Sequence, residues 1–231
     1  MTAPRDERVL AGLRDQLAVR DERLRARERQ IGWKVGFGAP AAKERLGTDR
    51  PLVGFLMDTG LVGDGAAVAI GDWRAPAFEA EIAAHLGADV PRGASWEDVR
   101  ASIAGVSAAI ELADVDPPPA DVRAILAGNI FHRRVLLGPV DRSRTSGDGV
   151  TGRVLRDGEE VASAGDPAAL TGEIVEVVRL TAEVLEAVGE RLRAGEVVIT
   201  GSVVPPLEVA PGQELVAELP PLGALRVRLT V

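Results

Sequence analysis

The run Phe78-Glu79-Ala80-Glu81-Ile82-Ala83-Ala84-His85-Leu86 constrains this chain more than any other. Phe78, Ala80, Ile82 and Leu86 alternate with Glu79, Glu81 and His85, which is the two-residue period of a strand with one apolar face. On such a strand the two glutamates stand side by side, whereas on a helix they would diverge. Like charges in a partly dry place repel and push one pKa upward, and a divalent cation is the usual means of keeping both ionised. A pair of strand glutamates facing water has the same pattern, so E-x-E alone does not choose between a ligand pair and an exposed face.

The rest of the chain alternates short strands with short helices. From Arg5 to about Gln30, Val9, Leu10, Leu13, Leu17 and Leu24 recur at helical spacing, predicting one or two amphipathic helices. Then come IGWKVGFG, a helical AAKERLG, PLVGFLMDTG and the alternating AAVAI. Ser95 and Asp98 form a capping box for a helix through about Ile103, SAAIELADV reads as a strand, and three prolines at 117–119 make a break. Asp121 is placed to cap a helix ending near Gly128, with RRVLLGP a buried strand after it. Asp157-Gly158 sits between two strand-like runs as a hairpin turn. Ile174, Val177, Val178, Thr181, Val184, Leu185 and Val188 share one side of a helix over 172–189. VVITGSVVPP, QELVAELP and ALRVRLTV complete a β-rich C-terminal half. The whole reads as α+β, with residues 1–30 a helical arm and 31–231 one structural unit.

Composition narrows the chemistry. With no cysteine and no tyrosine, proton transfer falls to carboxylates, lysines, hydroxyls and two histidines, His85 and His132. A net charge of -8 argues against nucleic acid as a partner. The arginine-rich tract at 20–29 interleaves acids at helical spacing and is expected to be a solvated helix face. No apolar run reaches the roughly 20 residues a membrane span needs, and MTAPRDERVL has no apolar signal core, so a cytoplasmic protein away from the membrane is expected.

Glu111, the lone acid in VSAAIEL, joins Glu79 and Glu81 as a third candidate ligand. Three carboxylates and no thiolate suit a hard ion, Mg²⁺ or Mn²⁺. Lys34 stands alone in IGWKVGFG and is one of two lysines, with Lys43, in a chain that otherwise uses arginine. Lysine can give up its proton where arginine cannot, which fits proton transfer, although a strand lysine reaching to water fits as well. Asp58, after an apolar run, could activate water or merely close a turn. His132 and Arg133 in NIFHRR could meet a substrate carboxylate. Thr200, Gly201 and Ser202 offer hydroxyls and backbone N–H groups at a strand end, which ordinary turn chemistry explains nearly as well, and Phe37 follows the lysine block as a candidate substrate contact.

In order and approximate spacing, GWKVGF, LGTDRPLVGFLMD, FEAEIAAHLG, AAIEL, LLGP and VVITGSVVPPLEVAPGQ resemble the 2-keto-4-pentenoate hydratase, 2-oxohepta-3-enedioate hydratase and oxalocrotonate decarboxylase group of the fumarylacetoacetate hydrolase superfamily. The likeness runs from about Ile31 to Leu229. It implies a rolled mixed β-sheet with flanking helices, a metal held by Glu79, Glu81 and Glu111, and Lys34 and Asp58 near a small 2-oxo or 2-enol acid. It also implies a homo-oligomer, with a partner decarboxylase as a further possibility. Two features depart from the group: Asn129 is followed by Ile130, Phe131 and His132 instead of small residues, and the stretch from Glu111 to Asn129 is short and proline-rich.

The resemblance implies hydration of a 2-hydroxy-dienoate, with Lys34 relaying a proton and Asp58 orienting or deprotonating water. Decarboxylation of a 2-oxo acid is the alternative. An acylpyruvate hydrolase would need a His–Glu pair to prime water, and no convincing pair is visible in the sequence. A non-catalytic partner subunit, with purely structural glutamates, is the reading from outside enzymology.

Overall fold

A computed structural model describes residues 6–115 and 121–231, so the proline break lies outside the described residues. The chain opens with α1 (Glu7–Arg25), then β1 (Gln30–Gly36), α2 (Pro40–Leu46), β2 (Leu52–Met57), a 3₁₀ turn (Asp58–Gly60), β3 (Ala67–Ala69), β4 (Pro76–Leu86), α3 (Trp96–Ser102) and β5 (Ile103–Asp114). After α4 (Val122–Ala127) and a turn (Asn129–Phe131) come β6 (His132–Leu137), β7 (Gly152–Arg156), β8 (Glu159–Ala164), α5 (Ala168–Thr171) and α6 (Ile174–Glu186). β9 (Val197–Ser202), β10 (Leu207–Glu208), β11 (Glu214–Glu218) and β12 (Ala224–Thr230) finish the chain.

Local chemistry accounts for these elements. Asp6 caps α1 by accepting from the Arg8 N–H at 2.9 Å, Asp121 caps α4 through the Arg123 N–H at 2.9 Å, and Ser95 with Asp98 closes the full capping box. Asp157 and Gly158 both take positive φ, 53° and 88°, at the tip of the β7–β8 hairpin.

Two mixed sheets result. In the larger, the strand order is β2-β1-β9-β4-β5-β6, with β10 on β4; in the smaller it is β3-β12-β11-β7-β8. β1 and β9 run parallel and their other neighbours antiparallel. The larger sheet curls until its edges meet: just past β2, Leu61 bridges Val135 of β6, and the Val62 N–H donates to the Val135 carbonyl at 3.0 Å. This closure is the roll. The inner face carries a small apolar cluster of Leu56, Ala83, Ala109, Val135, Val197 and Ile199. The outward-facing residues, including Trp33, Phe55, Phe78, Ile82 and Ile110, join the main core with α1, α6 and the second sheet. Among the described residues, no helix is long and apolar enough to cross a membrane.

The N-terminal helix is single and docked. Val9, Leu13 and Leu17 are buried as the spacing predicts, whereas Leu24 is exposed. Gln16, buried, donates from Nε2 to the carbonyls of Leu126 (2.8 Å) and Val53 (3.2 Å), tying α1 to α4 and β2. The arginine tract is not simply a solvated face. Arg20 is buried, ion-paired to Asp21 (2.8 Å) and Glu190 (2.7 Å), with its guanidinium 5.8 Å from the centre of the Trp33 ring. Arg23 pairs with Glu28 and lies 5.8 Å from the Phe55 ring centre. A planar guanidinium covers an aromatic face while keeping its charge paired, a feature that charge spacing does not display.

Leu13→Ala is expected to lower the unfolding free energy by about 2–5 kcal/mol in urea titrations, as for a fully buried leucine in a packed core. A loss of well under about 1 kcal/mol would mean that α1 is a detachable arm.

Candidate metal centre and active site

β4 and β5 are paired antiparallel with Glu79 opposite Glu111 and Glu81 opposite Ala109, so three carboxylates converge on the inner face of the roll. One oxygen from each of Glu79, Glu81 and Glu111 lies within 4.8 Å of the others. Glu81 and Glu111 are fully buried; Glu79 is partly open to a cavity of about 500 Å³.

The fourth charge is Lys34. On β1 it shares the inner face, and its Nζ lies 2.7 Å from Glu111 Oε2 and 3.4 Å from the Ile130 carbonyl, with the side chain 2 % exposed. Gly54 makes room for it, and Gly36 for the Ile130 side chain beside it. A Cβ on Gly54, its partner on β2, would fall 2.9 Å from Lys34 Cγ and 2.8 Å from Asn129 Oδ1, and one on Gly36 would fall 2.9 Å from Ile130 Cγ2.

Burial and mutual repulsion set the protonation states. Burial, then the Glu111 charge, pushes the Glu79 carboxyl up to about 7. The same causes, with Glu79 added, raise Glu81 well above the usual carboxylate range. Burial works to raise Glu111 too, but the Lys34 ammonium and the His132 contact outweigh it and hold that carboxyl low. Burial likewise works against the Lys34 charge and is overcome by Glu111, Glu79 and Glu81, so the ammonium is retained.

β9 supplies an aiming device. Its pairing with β4 slips by one residue between Glu81↔Ser202 and Ala83↔Ile199, a bulge at Thr200-Gly201. The bulge turns the Gly201 N–H to donate to Glu81 Oε2 at 2.7 Å, with φ 96° at a position where a Cβ would fall 2.9 Å from Thr171. The hydroxyls expected to matter there line the cavity, but Thr200 Oγ1 donates to the Ile82 carbonyl at 2.9 Å and Ser202 Oγ to the Ala80 carbonyl at 3.4 Å. The glycine between them holds the candidate ligand through its N–H, a backbone donor that the sequence offered without singling it out from the hydroxyls.

Among the described residues, the turn before β6 carries the one run of successive non-glycine residues with positive φ. Asn129, Ile130 and Phe131 all have positive φ (53°, 50° and 65°) without a glycine among them. Such residues cost roughly 1–3 kcal/mol each and persist only where surroundings impose them. The turn delivers His132, whose Nδ1 lies 2.8 Å from Glu111 Oε1. A His–Glu pair, which the sequence did not reveal, therefore exists, because β5 and β6 are neighbours. His132 does not line the cavity, however, and its Nε2 is buried without a partner, near Gly60.

Phe37 lines the cavity, as do Lys34, Glu79, Thr200 and Ser202. Arg133 does not: it is half-exposed and pairs with Asp114 at 3.3 Å. Asp58 lies elsewhere. It accepts from the Arg29 N–H at 3.0 Å and from Arg29 Nε at 2.9 Å, next to the Gln30–Met57 end of β1 and β2. Lys34 pairs with Gly54, four residues along β1 from Gln30, roughly 13 Å at strand rise. The Arg29 backbone and side chain also hold the Asp58 carboxyl low, so it is ionised and turn-bound. His85, same parity as the glutamates, bonds Ser107 Oγ at 2.8 Å farther along the sheet, and burial holds its pKa down.

The cluster fits a divalent cation on its own terms: Glu81 Oε1 is buried with no hydrogen-bond partner, beside two more carboxylates.

Residues 29–230 match the fumarylacetoacetate (FAA) hydrolase C-terminal family. The chain is 31% identical over 213 residues to a 2-keto-4-pentenoate hydratase from Burkholderia vietnamiensis, covering 88% of this chain and 79% of that one. It is 30% identical to a 4-oxalocrotonate decarboxylase from Pseudomonas putida over 86% of this chain and 76% of the relative. Among solved structures, 4-oxalocrotonate decarboxylase from Pseudomonas putida G7, complexed with magnesium and adipate, superposes with a TM-score of 0.86 at 27% identity, covering 93% of this chain and 83% of that one.

A carboxyl held at about 7 against an ordinary 4.5 binds its proton more tightly folded than unfolded, so Glu79 withdraws stability from the metal-free fold as pH rises through that window. The melting midpoint of metal-free wild type, relative to Glu79→Gln, should fall from about pH 5 to about pH 8. Parallel curves would show that Glu79 ionises normally.

Proposed function

The chain belongs to the fumarylacetoacetate hydrolase C-terminal family, and on that premise we propose that it is a divalent-metal-dependent hydratase adding water to a small 2-hydroxy-dienoate or 2-oxo-enoate such as 2-hydroxypenta-2,4-dienoate. The observation that carries this reading is the meeting of Glu79, Glu81 and Glu111 with a buried Lys34 at one cavity. The likeness to hydratases supports it. Glu79, Glu81 and Glu111 would hold Mg²⁺ or Mn²⁺. Once bound, the ion would supply Lewis acidity toward the substrate's carboxylate and 2-oxygen.

The chain's own groups do the rest. Lys34 holds its proton at Nζ, fixed by Glu111 and the Ile130 carbonyl, and is the group placed to pass it to the substrate carbon skeleton. Phe37, Ile130, Phe131 and Leu170 wall the cavity with apolar surface, which suits a diene and limits stray water around it. Gly201 and His132 hold Glu81 and Glu111 in place from behind. No role in water activation is proposed for Asp58, which its Arg29 pairing keeps at the far end of β1.

Decarboxylation of a 2-oxo diacid is the second reading. Arg45 on the cavity wall, a second cation besides Lys34, is the observation that favours it. A hydrolase using the His132–Glu111 pair to prime water is disfavoured, since His132 is off the cavity wall.

Freshly generated 2-hydroxypenta-2,4-dienoate should lose its ultraviolet absorbance in the presence of Mg²⁺, stop doing so with EDTA, and yield a product heavier by one water. Release of CO₂ from a 2-oxo diacid without hydration of the dienol would favour the decarboxylase. Lys34→Arg should lower turnover on the order of 10²–10⁴-fold while Mg²⁺ still raises the melting midpoint. Glu81→Gln should abolish that Mg²⁺-dependent rise; a variant still stabilised by Mg²⁺ would remove Glu81 from the ligand set.

A further inference from the structure

We infer that Asn129 is a positioning residue for both the proton-carrying lysine and the carboxylate beside it, acting through a two-bond clamp on the β2 backbone; the inference rests on the hydratase reading for its catalytic meaning. The Asn129 side chain accepts from the Phe55 N–H through Oδ1 at 2.8 Å and donates from Nδ2 to the Phe55 carbonyl at 3.0 Å. These are the two bonds a neighbouring strand would make at that point, supplied by one amide to a strand that, among the described residues, pairs on its other side with β1 at the edge of the larger sheet.

An ordinary turn asparagine bonds its own backbone one or two residues away. Asn129 instead reaches across 74 positions of sequence. With its side chain so held, the backbone runs through three successive left-handed residues, of which β-branched Ile130 is the least suited to that conformation. The turn has three products. It sets the Ile130 carbonyl 3.4 Å from Lys34 Nζ, brings His132 Nδ1 to 2.8 Å from Glu111 Oε1, and turns Ile130 and Phe131 toward the cavity. The clamp and the lysine also share one tight space, because the absent Cβ of Gly54 would touch both Asn129 Oδ1 (2.8 Å) and Lys34 Cγ (2.9 Å). A turn that only connected α4 to β6 would need none of these coincidences.

The chain's two lysines make the inference directly observable, since selective ¹³Cε-lysine labelling gives one resonance for Lys34 and one for Lys43. Asn129→Gly permits the same backbone conformation but removes both bonds. In the metal-free and substrate-free protein it should shift the Lys34 resonance and leave that of Lys43 in place. Turnover of the dienol should fall on the order of 10²-fold, as expected for a misplacement near 1 Å, and Mn²⁺ binding followed by electron paramagnetic resonance should weaken about tenfold. Asn129→Asp, which keeps the acceptor for the Phe55 N–H and loses the donor, should fall between wild type and glycine in all three readouts. An unmoved Lys34 resonance in either folded variant overturns the inference. So does a lowered melting midpoint with unchanged kcat and Mn²⁺ affinity, which is the signature of a purely structural turn. If wild type neither binds Mn²⁺ nor consumes the dienol while the Lys34 resonance still moves, the hydratase reading fails and the clamp on Lys34 stands.

Discussion

Three carboxylates and one ammonium share the inner face of a curled sheet, and most of the architecture around them serves to make that tolerable. Isolated buried charge costs far more than a fold of this size can absorb, so each group must be paired, neutralised or given a cation. Lys34 answers for Glu111, which His132 also contacts. Glu81 has the Gly201 N–H on one oxygen and nothing on the other. Glu79 sits at the cavity with its carboxyl held near 7. The set is unbalanced by design of its elements: β4 and β5 bring the acids into register, β1 brings the one base, and Gly54 of β2 leaves room for its side chain.

The positions around the charges are fixed by backbone as much as by side chains. The bulge in β9 aims an N–H at Glu81, and the left-handed turn before β6 aims a carbonyl at Lys34 and an imidazole at Glu111. Both devices use conformations that cost free energy locally, and both lie beside the reacting region, where preorganised dipoles are most effective.

Much of this was legible in residue order because it depends on short-range rules. Period-two alternation placed Glu79 and Glu81 on one face of β4, capping residues marked the starts of α3 and α4, and Asp157-Gly158 marked a hairpin. The missing parts are those whose partner is distant in sequence. Asp58 reads equally as a base or as a turn residue until Arg29, 29 positions earlier, is seen to hold it. Arg20 and Arg23 read as a wet helix face until Trp33 and Phe55 come beneath them. His132 and Glu111 belong to different motifs and meet only because β5 and β6 are neighbours. Asn129 could be noticed in sequence, but not that its amide stands in for a strand. Thr200, Gly201 and Ser202 drew notice together for hydroxyls and backbone N–H groups, and the structure uses the Gly201 N–H on Glu81 while both hydroxyls bond strand carbonyls.

The curl of the larger sheet has a consequence beyond the site. A sheet of this width laid open would end in two strands, each presenting a row of unpaired N–H and C=O groups to any extended chain that came by. Here Leu61 and Val62 cover one stretch of β6, and the Asn129 amide covers β2 at Phe55. The same bends that gather the charges thus blunt the edges against which another polypeptide would stack, so the shape that concentrates acid inside also guards against aggregation outside.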